Sequence, residues 1–194
     1  MRLWKVTAAD GSAMHGGSGR WKPGVWRTAK PPLRPCEHGL HLCRDRDLVR
    51  WLGPVIWEAE AEGEVIEQPD KIVAAKARVI RRVEAWNERT ARLFAAECAE
   101  HVLPLFEAQH PGDDRPRRAI EVARLFADGK ATDQARAAVW AAARAAAGAA
   151  AGAAARAAAW AAARAAARDA ARDAAGAAEH EWQTERLMAL LEAR

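Results

Sequence analysis

The sequence predicts an α+β protein of two modules, a small β-rich N-terminal module packed with a C-terminal Ala-rich antiparallel helical bundle. Three observations predict it. Short alternating runs with glycine and proline punctuation fill residues 1–83, and the hydrophobic period turns helical from Glu84 onward. Alanine then accumulates, with 31 of the 48 positions from Ala131 to Ala178 against 10 in the first 90 residues. The expected domains are therefore 1–83 and 84–194. A chain of 194 residues can bury a core without disulfide staples. The 51% hydrophobic content nevertheless overstates its large apolar side chains, because so much of it is methyl groups.

In the first module, Leu3, Lys5 and Thr7 alternate with Trp4 and Val6, which predicts a strand. A glycine-rich loop carrying Trp21 and Trp26 follows, and Pro31, Pro32 and Pro35 hold an extended connection. Gly39 to Cys43 reads as a buried strand. Asp45 or Asp47 is expected to cap a short helix through Trp51, stopped at Gly53-Pro54. From Val55 to Glu67, Glu58, Glu60, Glu62 and Glu64 share one face, opposite Trp57, Ala59 and Ala61. Val73 to Val83 supplies a further strand, or a strand running into a helix.

In the second module, Leu93, Phe94, Cys98, His101, Val102, Leu105 and Phe106 recur at three- and four-residue steps, the apolar face of a helix. Pro104 is expected to kink or break it. Asp114 is the expected N-cap of a second helix, with Pro116 in its first turn and an end near Gly129. Thr132 or Asp133 opens the alanine region. There Arg136, Trp140, Arg144, Gly148, Gly152, Arg156, Trp160 and Arg164 fall every four positions, mirrored about Ala150. A straight helix of this tract would run roughly 70 Å, against roughly 40 Å for the diameter of a compact chain of this size. A turn near residue 150 resolves the mismatch and sets Trp140 and Trp160 at one height in a helix hairpin, with arginines layered above and below. The apolar residues Trp182, Leu187, Met188, Leu190 and Leu191 then form a terminal turn expected to dock on the bundle.

Charge and motifs narrow the chemistry. Thirty basic and 26 acidic residues give a net charge of +4, too balanced for nucleic-acid binding by charge alone, and sequence-specific recognition is not expected. Three irregularly spaced cysteines point to a reducing cytoplasm, and arginines interrupt the one tract long enough to span a bilayer. The N-terminus lacks the apolar stretch of a signal peptide. Cys36, His38, His41 and Cys43 are four potential ligands in eight residues, but their spacing matches none of the common zinc patterns. Packed thiols with hydrogen-bonded histidines are the alternative, and no metal or cofactor is expected. The glutamate row echoes the paired glutamates of ADP-ribosyltransferases, with His15, His38 and His41 as possible cofactor contacts. It is also what the solvent face of an edge strand looks like. No phosphate-binding loop, nucleophile elbow, dinucleotide fingerprint or H-E-x-x-H motif is present.

Two segments carry a resemblance. Leu33 to Cys43 (L-R-P-C-E-H-G-L-H-L-C), followed by W-E-A-E-A-E-G-E-V and K-I-V-A-A-K-A-R-V-I-R, resembles an uncharacterised domain common in phage and prophage proteins. Phe94 to Phe126, with the alanine repeat behind it, resembles the immunity-protein-like helical family associated with polymorphic toxins. The resemblance brings no active site. It implies a protein of phage or bacterial conflict that binds and neutralises something, either a toxin or defence factor or a small anionic, nucleotide-like ligand. The candidate binding residues are Arg117, Arg118 and Arg124 beside the Asp113-Asp114 loop, with Arg136, Trp140, Arg144, Arg156, Trp160 and Arg164. An ADP-ribosyltransferase-like enzyme and an architectural phage protein are the rival readings, and a homo-oligomer stays open.

Overall fold

The structure, a computed structural model, describes residues 2–14, 19–132, 135, 137 and 165–192, and of residues 165–175 the backbone only. The chain is α+β, and divides into two compact units: residues up to Asn87 together with His180–Arg194, and Glu88–Glu179. The expected turn near residue 150, with Arg136, Trp140, Arg144, Arg156, Trp160 and Arg164, lies outside the described residues.

The first unit is built on an antiparallel sheet of β1 (Leu3–Thr7), β2 (Arg27–Thr28), β3 (Leu40–Leu42), β4 (Val55–Gln68) and β5 (Lys71–Arg82). The order is β1-β4-β5-β2, and β3 also pairs with β5, so two short strands share its outer edge. Pro69-Asp70 links β4 to β5 by a two-residue turn that brings Gln68 opposite Lys71; proline's fixed φ suits the first corner of such a turn. Near the middle of β4 the register shifts between Glu62 and Val65, and Gly63 supplies the positive φ of 77° that the irregularity needs. Leu3, Trp21, Leu42, Ile72 and Val79 pack one cluster of the core, and Ala29, Leu33 and Val73 a second.

β4 lies between β1 and β5, so the expectation of an edge strand is corrected. Its glutamates do not face open solvent alone. Glu58 is opposite Arg81, Glu60 opposite Arg78 and Glu62 opposite Lys76. Each pair closes as a salt bridge, that of Lys76 and Glu62 at 2.6 Å. Alternation shows which residues share a face but not what stands on the neighbouring strand.

The short helix is a 3-10 helix, Asp45–Trp51, and its cap differs from the expected one. Arg44 is the N-cap residue. Asp47 reaches back to accept the Arg44 backbone N–H at 3.2 Å and its guanidinium at 2.5 Å. The buried Arg44 also donates to Glu67 at 3.0 Å and to the Gln68 carbonyl at 2.5 Å, pinning the helix start to the β4–β5 turn.

The second unit contains α1 (Glu88–Gln109) and α2 (Arg115–Ala127). α1 continues through Pro104 without a break. Its buried residues are Phe94, Ala96 and Leu103, the last two clustered with Ile120 of α2, whereas Val102 and Leu105, expected inside, are exposed. Ala96 and Leu103 lie on the side of the helix opposite Phe94 and Leu105, and packing with α2 rather than the expected apolar period buries them. Asp114 precedes α2 as expected, but its side chain makes no cap bond and pairs with Arg118 instead. The helix ends in a Schellman arrangement: Gly129, at φ 69°, donates to the Phe126 carbonyl and Lys130 donates to that of Leu125. Thr132 Oγ1 accepts the Ala135 N–H at 3.2 Å, as expected of a residue opening the alanine region.

α3 spans Ala165–Glu192, and its last turns belong to the first unit. The expected docking of these turns on the bundle is thereby corrected. Leu187 is fully buried, Arg2 donates to Glu192 at 2.6 Å, and Arg50 donates to His180 at 3.3 Å.

Candidate functional site

The described residues line an open cavity of about 410 Å³ within the first unit. β1 contributes Lys5, β3 contributes Leu40 and His41, and Lys71 comes from the start of β5. Trp21, Arg27 and the 36–39 turn complete the wall.

The turn is built by local bonds. Arg34 and His38 exchange backbone hydrogen bonds of 2.8 Å, and Cys36 adopts a left-handed φ of 68°. Its N–H donates to His41 Nε2 at 3.1 Å, which leaves that nitrogen an acceptor and the ring neutral. Burial, then the charges of Lys5 and Lys71, lower the His41 pKa in the same sense, against a Gly39 backbone bond that raises it. Gly39, at φ 136°, has no room for a side chain: a Cβ there would sit 2.3 Å from Val73 Cγ1. At Gly19, whose φ is 75°, a Cβ would meet the movable end of the Arg27 side chain at 2.8 Å, a lesser obstacle than Val73 is at Gly39.

The cations of the cavity are held by indoles. Lys5 Nζ and the Arg27 guanidinium lie 5.0 and 4.8 Å from the Trp21 ring centre, and Lys71 Nζ lies 4.7 Å from that of Trp51. Burial pulls the Lys5 ammonium down to a pKa of about 8, with Arg27 adding to the effect and Cys43 opposing it. Burial likewise pushes the Cys43 thiol up to about 12, so it stays protonated. Lys71 is raised instead: burial works against its charge, but Asp70 and the Cys36 sulfur outweigh it.

The four potential metal ligands are dispersed among these roles. His38 Nε2 bonds the Lys30 carbonyl at 2.7 Å, His41 Nε2 is taken by Cys36 N–H, and Cys43 is a neutral buried thiol. Among the described residues no three His, Cys, Asp or Glu side chains are placed to hold a metal ion.

The arginines singled out from the sequence lie elsewhere, in the second unit. Arg117 donates to Glu107 at 2.7 and 2.9 Å, Arg124 to Glu100, and Arg89 to Asp128 at 2.7 Å, lacing α1 to α2. Arg118 pairs with Asp114, the N-cap residue of its helix, at 2.9 Å and is the most exposed of the three predicted. Nothing in the spacing of the sequence announces the cavity. A lysine in a strand buried on both faces, Lys5 sharing its face with Leu3 and Thr7, was the available signal.

The fold and these contacts define a two-unit α+β protein with a helical hairpin laced by ion pairs and a cation-lined cavity in the other unit. Comparison with protein families matches residues 81–178, half of the chain, to the family described as "Imm-5 like putative immunity protein", and the chain belongs to that family. Residues 1–90 match a domain of unknown function, DUF7666. The matches meet where β5 gives way to α1. His180–Arg194 lies beyond both. No curated protein and no solved structure matches the chain.

Proposed function

We propose that the protein is an immunity protein that acts by binding, its helical unit occupying a toxin and blocking it. The observation that carries this reading is the coincidence of the immunity-family match, 81–178, with the compact helical unit Glu88–Glu179. That unit exposes apolar side chains, Leu105 at 67% and Leu125 at 44%, beside paired charges that a partner's carboxylates and cations can meet. In this reading Arg117 and Arg124 hold the hairpin together, and the exposed Arg118 is the predicted arginine best placed to reach a partner.

The ADP-ribosyltransferase reading loses support from the same geometry. Glu58, Glu60 and Glu62 each carry a basic partner, which restrains a carboxylate that would have to reach a substrate. The test is protection. The full chain, expressed with the toxins of its own host, should relieve the toxicity of one of them and co-purify with it. Glu58→Ala with Glu60→Ala should leave that protection intact, whereas its loss would favour the enzyme. Failure to protect against any toxin, with none captured, overturns the proposal.

A further inference from the structure

The six lysines of the chain provide an internal comparison. Lys22, Lys30 and Lys130 are exposed, Lys71 pairs with Asp70 at 3.3 Å and Lys76 with Glu62 at 2.6 Å. Lys5 fits neither description. It is half-buried on β1, lines the cavity of the first unit, and among the described residues makes no ion pair with a carboxylate. A lysine taken out of water is ordinarily paired, because burying an uncompensated ammonium is costly.

The surroundings of Lys5 suit an amine better than an ammonium. Its Nζ donates to the His41 carbonyl at 2.9 Å and lies 5.0 Å from the centre of the Trp21 ring. A neutral amine still donates to that carbonyl, and it keeps a lone pair that an ammonium lacks. Arg27 lies on the same ring and repels a second positive charge. The His41 ring is neutral and the Cys43 thiol stays protonated, so neither supplies the negative charge that would hold a proton on Nζ. Glu37 is the single carboxylate among the described residues lining the cavity, and it is exposed and 3.8 Å from Arg34. A desolvated lysine beside another cation is the arrangement that makes an amine attack carbonyl carbon. The cavity volume, about 410 Å³, falls within the range of small-molecule sites.

We propose that this cavity holds a small aldehyde or ketone covalently, as an imine on Lys5. The neutral amine adds through its lone pair to the carbonyl carbon, and one N–H proton passes to the oxygen to give a carbinolamine. The second N–H proton leaves with that hydroxyl as water while the carbon–nitrogen double bond forms. The step needs no oxidant or reductant, and water reverses it. Ala13, Met14 and Leu40 line the cavity with apolar surface for the carbon body of the ligand. The proposal concerns the N-terminal unit and stands apart from toxin binding by the helical unit, so either can fail without the other.

The test is imine trapping on the full chain at pH 7.5, with propanal and acetone as probes, sodium cyanoborohydride as the trap and peptide mass spectrometry as the readout. Burial, with Arg27 adding to it and Cys43 opposing, sets the Lys5 pKa at about 8 against 10.5 for an exposed lysine. Its share of free amine at this pH is then larger on the order of a hundredfold. Labelling should concentrate on Lys5, about tenfold or more above Lys22, Lys30 and Lys130, and should saturate with propanal while theirs rises linearly. The more effective probe separates aldehyde from ketone as the ligand chemistry. Labelling spread evenly over the lysines, or a Lys5 signal linear in both probes, overturns the proposal. Lys5→Arg keeps a long basic side chain and should abolish the saturable signal, and its persistence in the folded variant overturns the proposal equally. The peptide map of the unmutated protein stands even if Lys5→Arg does not fold.

Discussion

At the scale of single residues, Lys5 makes stability depend on pH in an unusual direction. Its pKa is depressed to about 8 in the folded chain against 10.5 for an exposed lysine, so between these values the unfolded chain binds more protons. Stability therefore rises with pH from about 8, until Cys43 and Cys98 oppose it. Both thiols are raised by burial, to about 12 and about 11, so above pH 9 the unfolded chain releases thiol protons that the folded chain keeps. Denaturant unfolding across pH 7 to 10 should show wild type gaining stability relative to Lys5→Met steadily above pH 8; a constant difference would contradict the assignment. Gly39 is the second case. Gly39→Ala places a Cβ against Val73 at a φ disfavoured for side chains, and should cost about 1–3 kcal/mol by thermal or chemical unfolding.

At the scale of elements, the junction of the 3-10 helix with the β4–β5 turn concentrates in one buried guanidinium. Arg44→Met leaves Asp47 buried without its cation, and breaking such a pair costs about 3–5 kcal/mol. The exposed ladder pairs are a contrast: Glu62→Gln should cost less than about 1 kcal/mol, because solvent screens the pair with Lys76. In the helical unit, Leu103→Ala removes a buried contact with the Ile120 cluster and should destabilise by about 2–5 kcal/mol, whereas Leu105→Ala, on the exposed side, should be near neutral. Calorimetry of the pair distinguishes the two sides directly. The expected apolar face of α1 ran through Leu105, and the helix packed against it buries Ala96 and Leu103 instead.

At the scale of the molecule, the chain closes its first unit with its last residues. His180–Arg194 packs with the β module through Leu187 and Leu191, while neither family match covers this segment. A chain ending at Glu179 should therefore lose protection of the β1 and β4 amides in hydrogen exchange. Unchanged exchange there would show that the terminal turns contribute little. The sequence by itself determined the α+β class, four of the five strands in outline, α1, α2 and the switch near residue 84, since these follow from local period and turn chemistry; the two-residue strand Arg27–Thr28 carries no such period. It also carried the family resemblance that the comparison bears out for the helical part. Tertiary structure alone decided which strand β4 faces, which stripe of α1 is buried, where the terminal helix docks and how Lys5, Trp21 and Arg27 meet. Those residues are separated by up to 22 positions in the chain, and no local pattern constrains donors brought together by sheet pairing and a loop.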